Sequence, residues 1–288
     1  MNTATQITSD AKAHTILVIG ASGKTGRRVT ERLRNANIAV KAASRSSETR
    51  FDWDDQATWE PAISGATGAY ITVYPDLSFP GVADRVQAFA ELAVANGCKR
   101  LVLLSGRGEE GALDSENRLR ASGADWTIVR CSVFSQNFSE SFQDAIRHGF
   151  LSMPVGDILE PFIDADDIAE VASAAFLDDR HVGQVYELSG PRLLSMQDVV
   201  HDLSDALGRE VQFQSVSVEA YAEELEQHGF PKEESLPVAQ LIADVLDGRN
   251  AYLADGVQRA LGREAKDFAD FARDAAAEGI WDLEEVQA

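Results

Sequence analysis

Cysteine is nearly absent from this chain, lysine is scarce, and no apolar run is long. The two cysteines, Cys98 and Cys131, show no ligand-like spacing, and in a chain of 288 residues they make no disulfide framework. The histidines, His14, His148, His181, His201 and His228, are scattered without ligand spacing, so no metal site is expected. No apolar stretch approaches the roughly 18–20 residues that span a bilayer. The N-terminal MNTATQITSDAKAH also lacks the apolar centre of a secretory signal. The expectation is a soluble, cytoplasmic protein without a membrane partner, whose residues 1–13 form a disordered polar tail. A net charge of −21 argues against nucleic acid as a partner, and no helix-turn-helix signature is present.

One further absence bears on chemistry. A ketone reductase of the short-chain type donates a proton from Tyr, with Lys four residues on lowering its pKa. The lysines here are Lys12, Lys24, Lys41, Lys99, Lys232 and Lys266, and none stands four after a tyrosine. The segment where the pair would fall, Arg107–Glu116 (RGEEGALDSE), holds neither residue. Either the protein reduces something that needs no such acid, or it does no chemistry.

What is present centres on Ile16–Gly26, ILVIGASGKTG. A short all-apolar run reads as a strand buried on both faces, the kind a parallel sheet needs. Gly20, Gly23 and Gly26 let the backbone turn sharply and approach a ligand. The helix that follows offers unpaired N–H groups and a positive dipole end to a pyrophosphate. Gly20, Ser22, Gly23, Lys24, Thr25 and Gly26 are therefore candidate cofactor residues, although their spacing is Gly-x-x-Gly-x-x-Gly rather than Gly-x-Gly-x-x-Gly. The charge pattern agrees. Residues 1–50 carry nine Lys/Arg against three Asp/Glu in an otherwise acidic chain.

Along the chain, residues 24–36 read as a helix with Val29 and Leu33 inward. Ile38–Ala43 reads as a strand ending in Ser44-Arg45, where an NAD-binding protein would place a carboxylate for the ribose hydroxyls. A hydroxyl and a guanidinium suit a 2′-phosphate, so NADP(H) is expected in preference to NAD(H). Asp52-Trp53-Asp54 either lines the adenine pocket or is a surface loop with a packed Trp. Gly68–Tyr74 is the next strand, and its end, with Tyr74, should lie beside the nicotinamide. Pro80–Asn96 is a helix, Arg100–Leu104 a strand delivering Ser105 and Arg107, Leu113–Ser122 a helix and Trp126–Arg130 a strand. Phe162–Asp164 reads as a short strand, 166–177 as a helix capped by Asp164 or Asp166, and Val185–Leu188 as a strand. The remainder is helical and acidic, with Ser195 as a cap and a strand near Val211–Val216.

The alternation defines the fold class: α/β, a Rossmann-type doubly wound parallel sheet with a smaller, mainly helical C-terminal lobe. The division expected is an NAD(P)-binding domain over 14–150, its sheet completed by 162–188. A small substrate-binding lobe takes 151–161 and 189–288.

Gly20–Gly26 with Arg27, Ser105-Gly106, Trp126–Arg130, Gln136-Asn137-Phe138 and Asp164–Ala169 together resemble the NmrA-like group of atypical short-chain dehydrogenase/reductases. Ala43–Ser47 followed by Phe51-Asp52-Trp53 looks most like the agroclavine and festuclavine dehydrogenase branch, and NADPH:quinone reductases are also similar. Cys131 departs from the pattern, since many relatives carry Pro after the Arg; a buried, inert thiol is the simplest reading. The resemblance implies an NADPH-dependent oxidoreductase passing a hydride to an iminium, imine or quinone-like acceptor; an iminium carbon becomes a neutral amine and a quinone can take its protons from water, so neither of these two needs the Tyr/Lys pair. The alternative is a non-catalytic NADP(H)-sensing regulator acting through a protein partner. Tyr74, Ser105, Arg107, Phe134, Gln136 and Asn137 are the candidates for the substrate and nicotinamide wall. Ser44, Arg45, Asp52, Tyr74 and Ser105 join the glycine loop as cofactor candidates. A small-molecule substrate is the expected partner, and a homodimer is compatible with this reading.

Overall fold

The computed structural model describes residues 14–74 and 76–283; the expected N-terminal tail, residues 1–13, lies outside the described residues. Strand β1 (Thr15–Ile19) leads into helix α1 (Lys24–Asn35), followed by β2 (Ala39–Ser44), β3 (Thr49–Arg50) and α2 (Trp59–Ile63). Next come β4 (Gly68–Ile71), α3 (Val82–Ala95), β5 (Arg100–Gly106), α4 (Glu110–Ala121) and β6 (Asp125–Cys131). Helix α5 (Gln143–Arg147), strand β7 (Phe150–Met153) and helix α6 (Ala165–Leu177) precede β8 (Gln184–Leu188). Helix α7 (Met196–Leu207), strand β9 (Gln212–Ser215) and helices α8 (Val218–Gln227), α9 (Lys232–Val245), α10 (Gly256–Leu261) and α11 (Phe268–Ala277) follow.

Seven strands form one sheet in the order β3-β2-β1-β4-β5-β6-β8, and every neighbouring pair is parallel. The chain reverses its direction across the sheet between β1 and β4, which opens a crevice at the carboxyl ends of those strands. This is a Rossmann-type doubly wound fold. Both faces of the sheet are covered, which is why Ile16–Ile19 of β1 and all of β4 are buried. On one face Phe51, Trp53, Trp59 and Phe89 pack ring against ring, with centroids 5.0–6.2 Å apart. On the other, Val29 and Leu33 of α1 meet Ile168 and Ala172 of α6, all fully buried.

A third core joins the later elements. Phe138, Phe162, Phe268, Phe271 and Trp281 cluster there, and Trp281 Nε1 donates to Phe138 O at 3.1 Å. It sits beside a second, two-stranded parallel sheet made by β7 and β9.

Several expectations need revision. Phe162–Asp164 is not a strand but an isolated bridge between Ile163 and Phe134. Its chain turns away because Asp164 caps α6, accepting from Asp166 N at 2.7 Å. Strand β7 was missed because four residues carry too little periodicity to stand out. The strand after β3 ends at Ile71, three residues short of Tyr74. Finally, α10 falls in the stretch assigned to the small lobe, yet its Val257 and Ala260 pack into the core of the large sheet.

Candidate active site

The glycine turn joins β1 to α1 by direct backbone contact. Gly20 has φ +69, and Gly23 N donates to Gly20 O at 2.9 Å. A Cβ on Gly26 would lie 2.1 Å from that same Gly20 oxygen, so only glycine lets the first turn of α1 come this close to the end of β1. At the N-terminus of α1 no side chain caps the helix and no acidic residue occupies its first turn. Uncapped N–H groups at a helix start are the chemistry that binds a phosphate, and the residues therefore suit a dinucleotide's pyrophosphate. Ser22 is exposed above the turn, whereas Thr25 is buried beneath it.

Lys24 projects from this turn toward the segment after β6. Its Nζ donates to Asn137 Oδ1 at 2.8 Å and to Ser141 Oγ at 3.1 Å. Burial is the main influence lowering the Lys24 ammonium pKa, with Glu140 opposing it and Arg27 adding to it.

A cavity of about 630 Å³ begins at Lys24 and runs along the carboxyl ends of β5 and β6 to the far end of α9. This volume lies within the ordinary range for small-ligand pockets, about 300–1,000 Å³. Among the candidate residues, Lys24, Ser105, Arg107, Phe134 and Asn137 line it. Cys131 lines it too, as a buried thiol whose pKa burial raises.

Two wall residues are held by buried partners. The Ser105 hydroxyl donates to Glu116 Oε1 at 2.7 Å. Glu116, fully buried, is gripped in turn by Arg130 at 2.9 and 2.6 Å. Arg107, 2% exposed, donates to Ser132 Oγ at 2.8 Å and to Tyr252 O at 3.0 Å, while its guanidinium stacks 4.0 Å from the Tyr252 ring centroid. Its Nε is buried without a partner among the described residues. Glu160, also fully buried, has its carboxyl pushed up to about 7, chiefly by burial, against the lowering pull of Val133 N–H and Arg107.

The remaining candidates lie elsewhere. Tyr74 is 81% exposed and outside the cavity lining. Gln136 is buried away from it: Nε2 donates to Asp164 Oδ1 at 3.0 Å and Oε1 accepts from Ala165 N at 2.7 Å, so this amide holds the start of α6. At the tip of β2, Ser44 Oγ accepts from Ser46 and Ser47 N–H and shapes the turn that leaves Arg45 exposed. Asp52 Oδ1 accepts from Asp54 N in a tight turn. Trp53 belongs to the core, where its Nε1 donates to Thr72 O at 2.8 Å.

The opposite wall had no signal in the sequence reading. Asp76, Glu109, Leu241, Asp244, Arg249 and Asn250 supply it, the last four from α9 and the loop after it. Asn250 Nδ2 donates to Arg107 O, tying that loop to the end of β5. Glu109 stood within the RGEEG run directly after a strand end, a position that invites attention in this fold.

The arrangement is that of a Rossmann-type protein with a ligand cavity beside its switch point, over the carboxyl ends of β5 and β6. Residues 114–271 match the model of the NmrA-like family. Agroclavine dehydrogenase of Claviceps fusiformis is 31% identical, the match covering 90% of this chain and 96% of that protein. The NAD(P)H azoreductase of Xenophilus azovorans is 30% identical over 91% of this chain and 98% of that one. Citrobacter sp. triphenylmethane reductase, solved with NADP(H), superposes with a TM-score of 0.76 at 18% identity, covering 91% of this chain and 99% of the other. The chain belongs to the NmrA-like family, and it is an oxidoreductase.

The double hydrogen bond at Gln136 gives a direct expectation. Gln136→Ala leaves Ala165 N–H without its partner and should lower stability by about 1–3 kcal/mol. Denaturant melts should show this loss, with KM for any acceptor little changed; a raised KM at unchanged stability would return Gln136 to the substrate wall.

Proposed function

We propose that this chain is a cytoplasmic NADPH-dependent reductase that passes a hydride to a small organic acceptor of the imine, iminium or quinone type. One observation carries the reading: the cavity runs from the uncapped start of α1 along the strand ends and is closed by α9. A nucleotide whose diphosphate rests on α1 has its nicotinamide end directed into that space. When bound, the reduced nicotinamide supplies the hydride. The protein's own part is to hold the acceptor against it and keep water out, which converts an encounter into a positioned reaction. Residues 14–150, the helix and strand of 162–188 and α10 form the nucleotide-binding part, whose strand ends also face the acceptor, and α9 with the loop after it supplies the facing wall.

Asn137 and Lys24 sit where the diphosphate and nicotinamide ribose would pass. Phe134 and Leu241 offer apolar surface to a flat ring, and Arg107 offers a fixed positive charge. Relatives named for an alkaloid, an azo compound and a triphenylmethane dye support a flat, conjugated acceptor. Turnover is tested by following NADPH consumption against a panel of quinones, azo dyes and cyclic iminium ions. Oxidation with any of them supports the reductase. Tight NADP(H) binding with no turnover across the panel would favour the sensing regulator, which the missing Tyr/Lys pair also allows.

The preference for NADPH rests on Arg45, exposed at the tip of β2 with no carboxylate before Glu48. A charge-assisted contact to a phosphate contributes about 1.5–3 kcal/mol. Arg45→Asp should therefore weaken NADPH by about ten- to a hundredfold and NADH far less, measured by fluorescence titration. Equal losses for both nucleotides would remove Arg45 from the 2′-phosphate site.

A further inference from the structure

We propose that Glu109 is the proton donor of this reductase, taking the place of the absent Tyr/Lys pair for acceptors that must gain a proton together with the hydride. The proposal rests on the hydride-transfer reading above and narrows it to acceptors such as quinones and azo compounds.

The geometry comes first. Glu109 follows β5 at its carboxyl end and lines the cavity, with its carboxyl folded over Gly106: a Cβ there would lie 2.5 Å from Glu109 Oε1. It occupies the N-cap position of α4 but makes no capping hydrogen bond, so its oxygens are not used by the helix. Oε2 is buried and meets no donor among the described residues. Asp76 lines the same cavity. Two carboxylates in one poorly solvated space disfavour each other's ionisation.

Asp76 Oδ1 accepts from both Ser78 N and Ser78 Oγ at 2.7 Å. Glu109 Oε2 has no such donor among the described residues. Burial and the adjacent Asp76 push its carboxyl up to about 8, and Arg249 only partly offsets them. Glu110 of α4, Asp244 of α9, Lys24 and Arg107 also carry charge on this cavity. A carboxylic acid is thus held protonated at neutral pH, at the strand end where the acceptor would lie.

The step balances simply. An acceptor that receives a hydride gains two electrons and develops negative charge on oxygen or nitrogen. The Glu109 O–H bond breaks and an O–H or N–H bond forms on the acceptor. The carboxylate left behind recovers its proton from water. An iminium carbon that takes a hydride becomes a neutral amine, and Glu109 has no part in that reaction.

The test compares wild type with Glu109→Gln, which keeps the size and hydrogen bonding of the side chain but has no acidic proton. With a quinone or azo dye, kcat should fall by about 10²–10⁴-fold. With a cyclic iminium ion the loss of kcat should be far smaller than with the quinone, since that acceptor takes no proton. Wild-type kcat/KM for the quinone should decline as pH rises through about 8, a limb absent from Glu109→Gln. Asp76→Asn should move that limb to lower pH by removing the neighbouring charge. A readout free of turnover is the infrared difference spectrum of wild type minus Glu109→Gln at pH 7, in which a protonated-carboxyl band should appear, the contribution of Glu160 cancelling because both proteins carry it. Unchanged quinone turnover in Glu109→Gln, or no such difference band, overturns the proposal alone. A wild type that reduces no acceptor overturns the reductase reading and this proposal with it.

Discussion

The close approach of Gly26 to the Gly20 carbonyl is the constraint on which the rest of this structure depends. It brings the first turn of α1 against the end of β1 and leaves that turn without a side-chain cap. An uncapped helix start is a cost to the fold unless water or a ligand answers its N–H groups. Here the helix cannot move away to relieve it, because Val29 and Leu33 are fixed against α6. Thr72, whose Oγ1 donates to Ile19 O at 3.0 Å and whose carbonyl accepts from Trp53, holds β4 beside the turn. The uncapped helix start, the anion site proposed above, is thus built into the packing of the sheet.

Beyond that turn, the cavity wall is stiffened by buried charged side chains held by hydrogen bonds. Glu116 satisfies Ser105 and Arg130 together, and Arg107 is held by Ser132, the Tyr252 carbonyl and the Tyr252 ring. Removing one member of such a set strands the other in a poorly solvated place, which fixes each side chain in a single position. Glu109 is the exception in this wall. Its carboxyl has a neighbour of its own kind and no donor, a situation that stores a proton rather than rigidity.

Local features of the fold were legible in the sequence because they depend on near neighbours. The strand, glycine turn and helix of 16–35, the inward Val29 and Leu33, and the caps at Asp164 and Ser195 all appear as read. Residues whose role depends on distant partners were harder to assign. Gln136 looked like wall because it neighbours Asn137, yet its partners are Asp164 and Ala165. Tyr74 looked like the end of a strand that stops at Ile71. Trp53, adjacent to an expected adenine loop, is drawn into a four-ring core instead. The far wall depends on a contact 143 residues apart in the chain, Asn250 to Arg107, and no pattern in either segment announces it.

The most direct test of the central claim is calorimetric titration of NADPH into wild type and Gly26→Ala, with circular dichroism to verify that the variant is folded. Wild type should release heat with a single site, and the folded variant should lose it, since the added methyl pushes the helix start off the strand end. NADPH binding to Gly26→Ala as tight as to wild type, or no binding to wild type at all, would contradict the account.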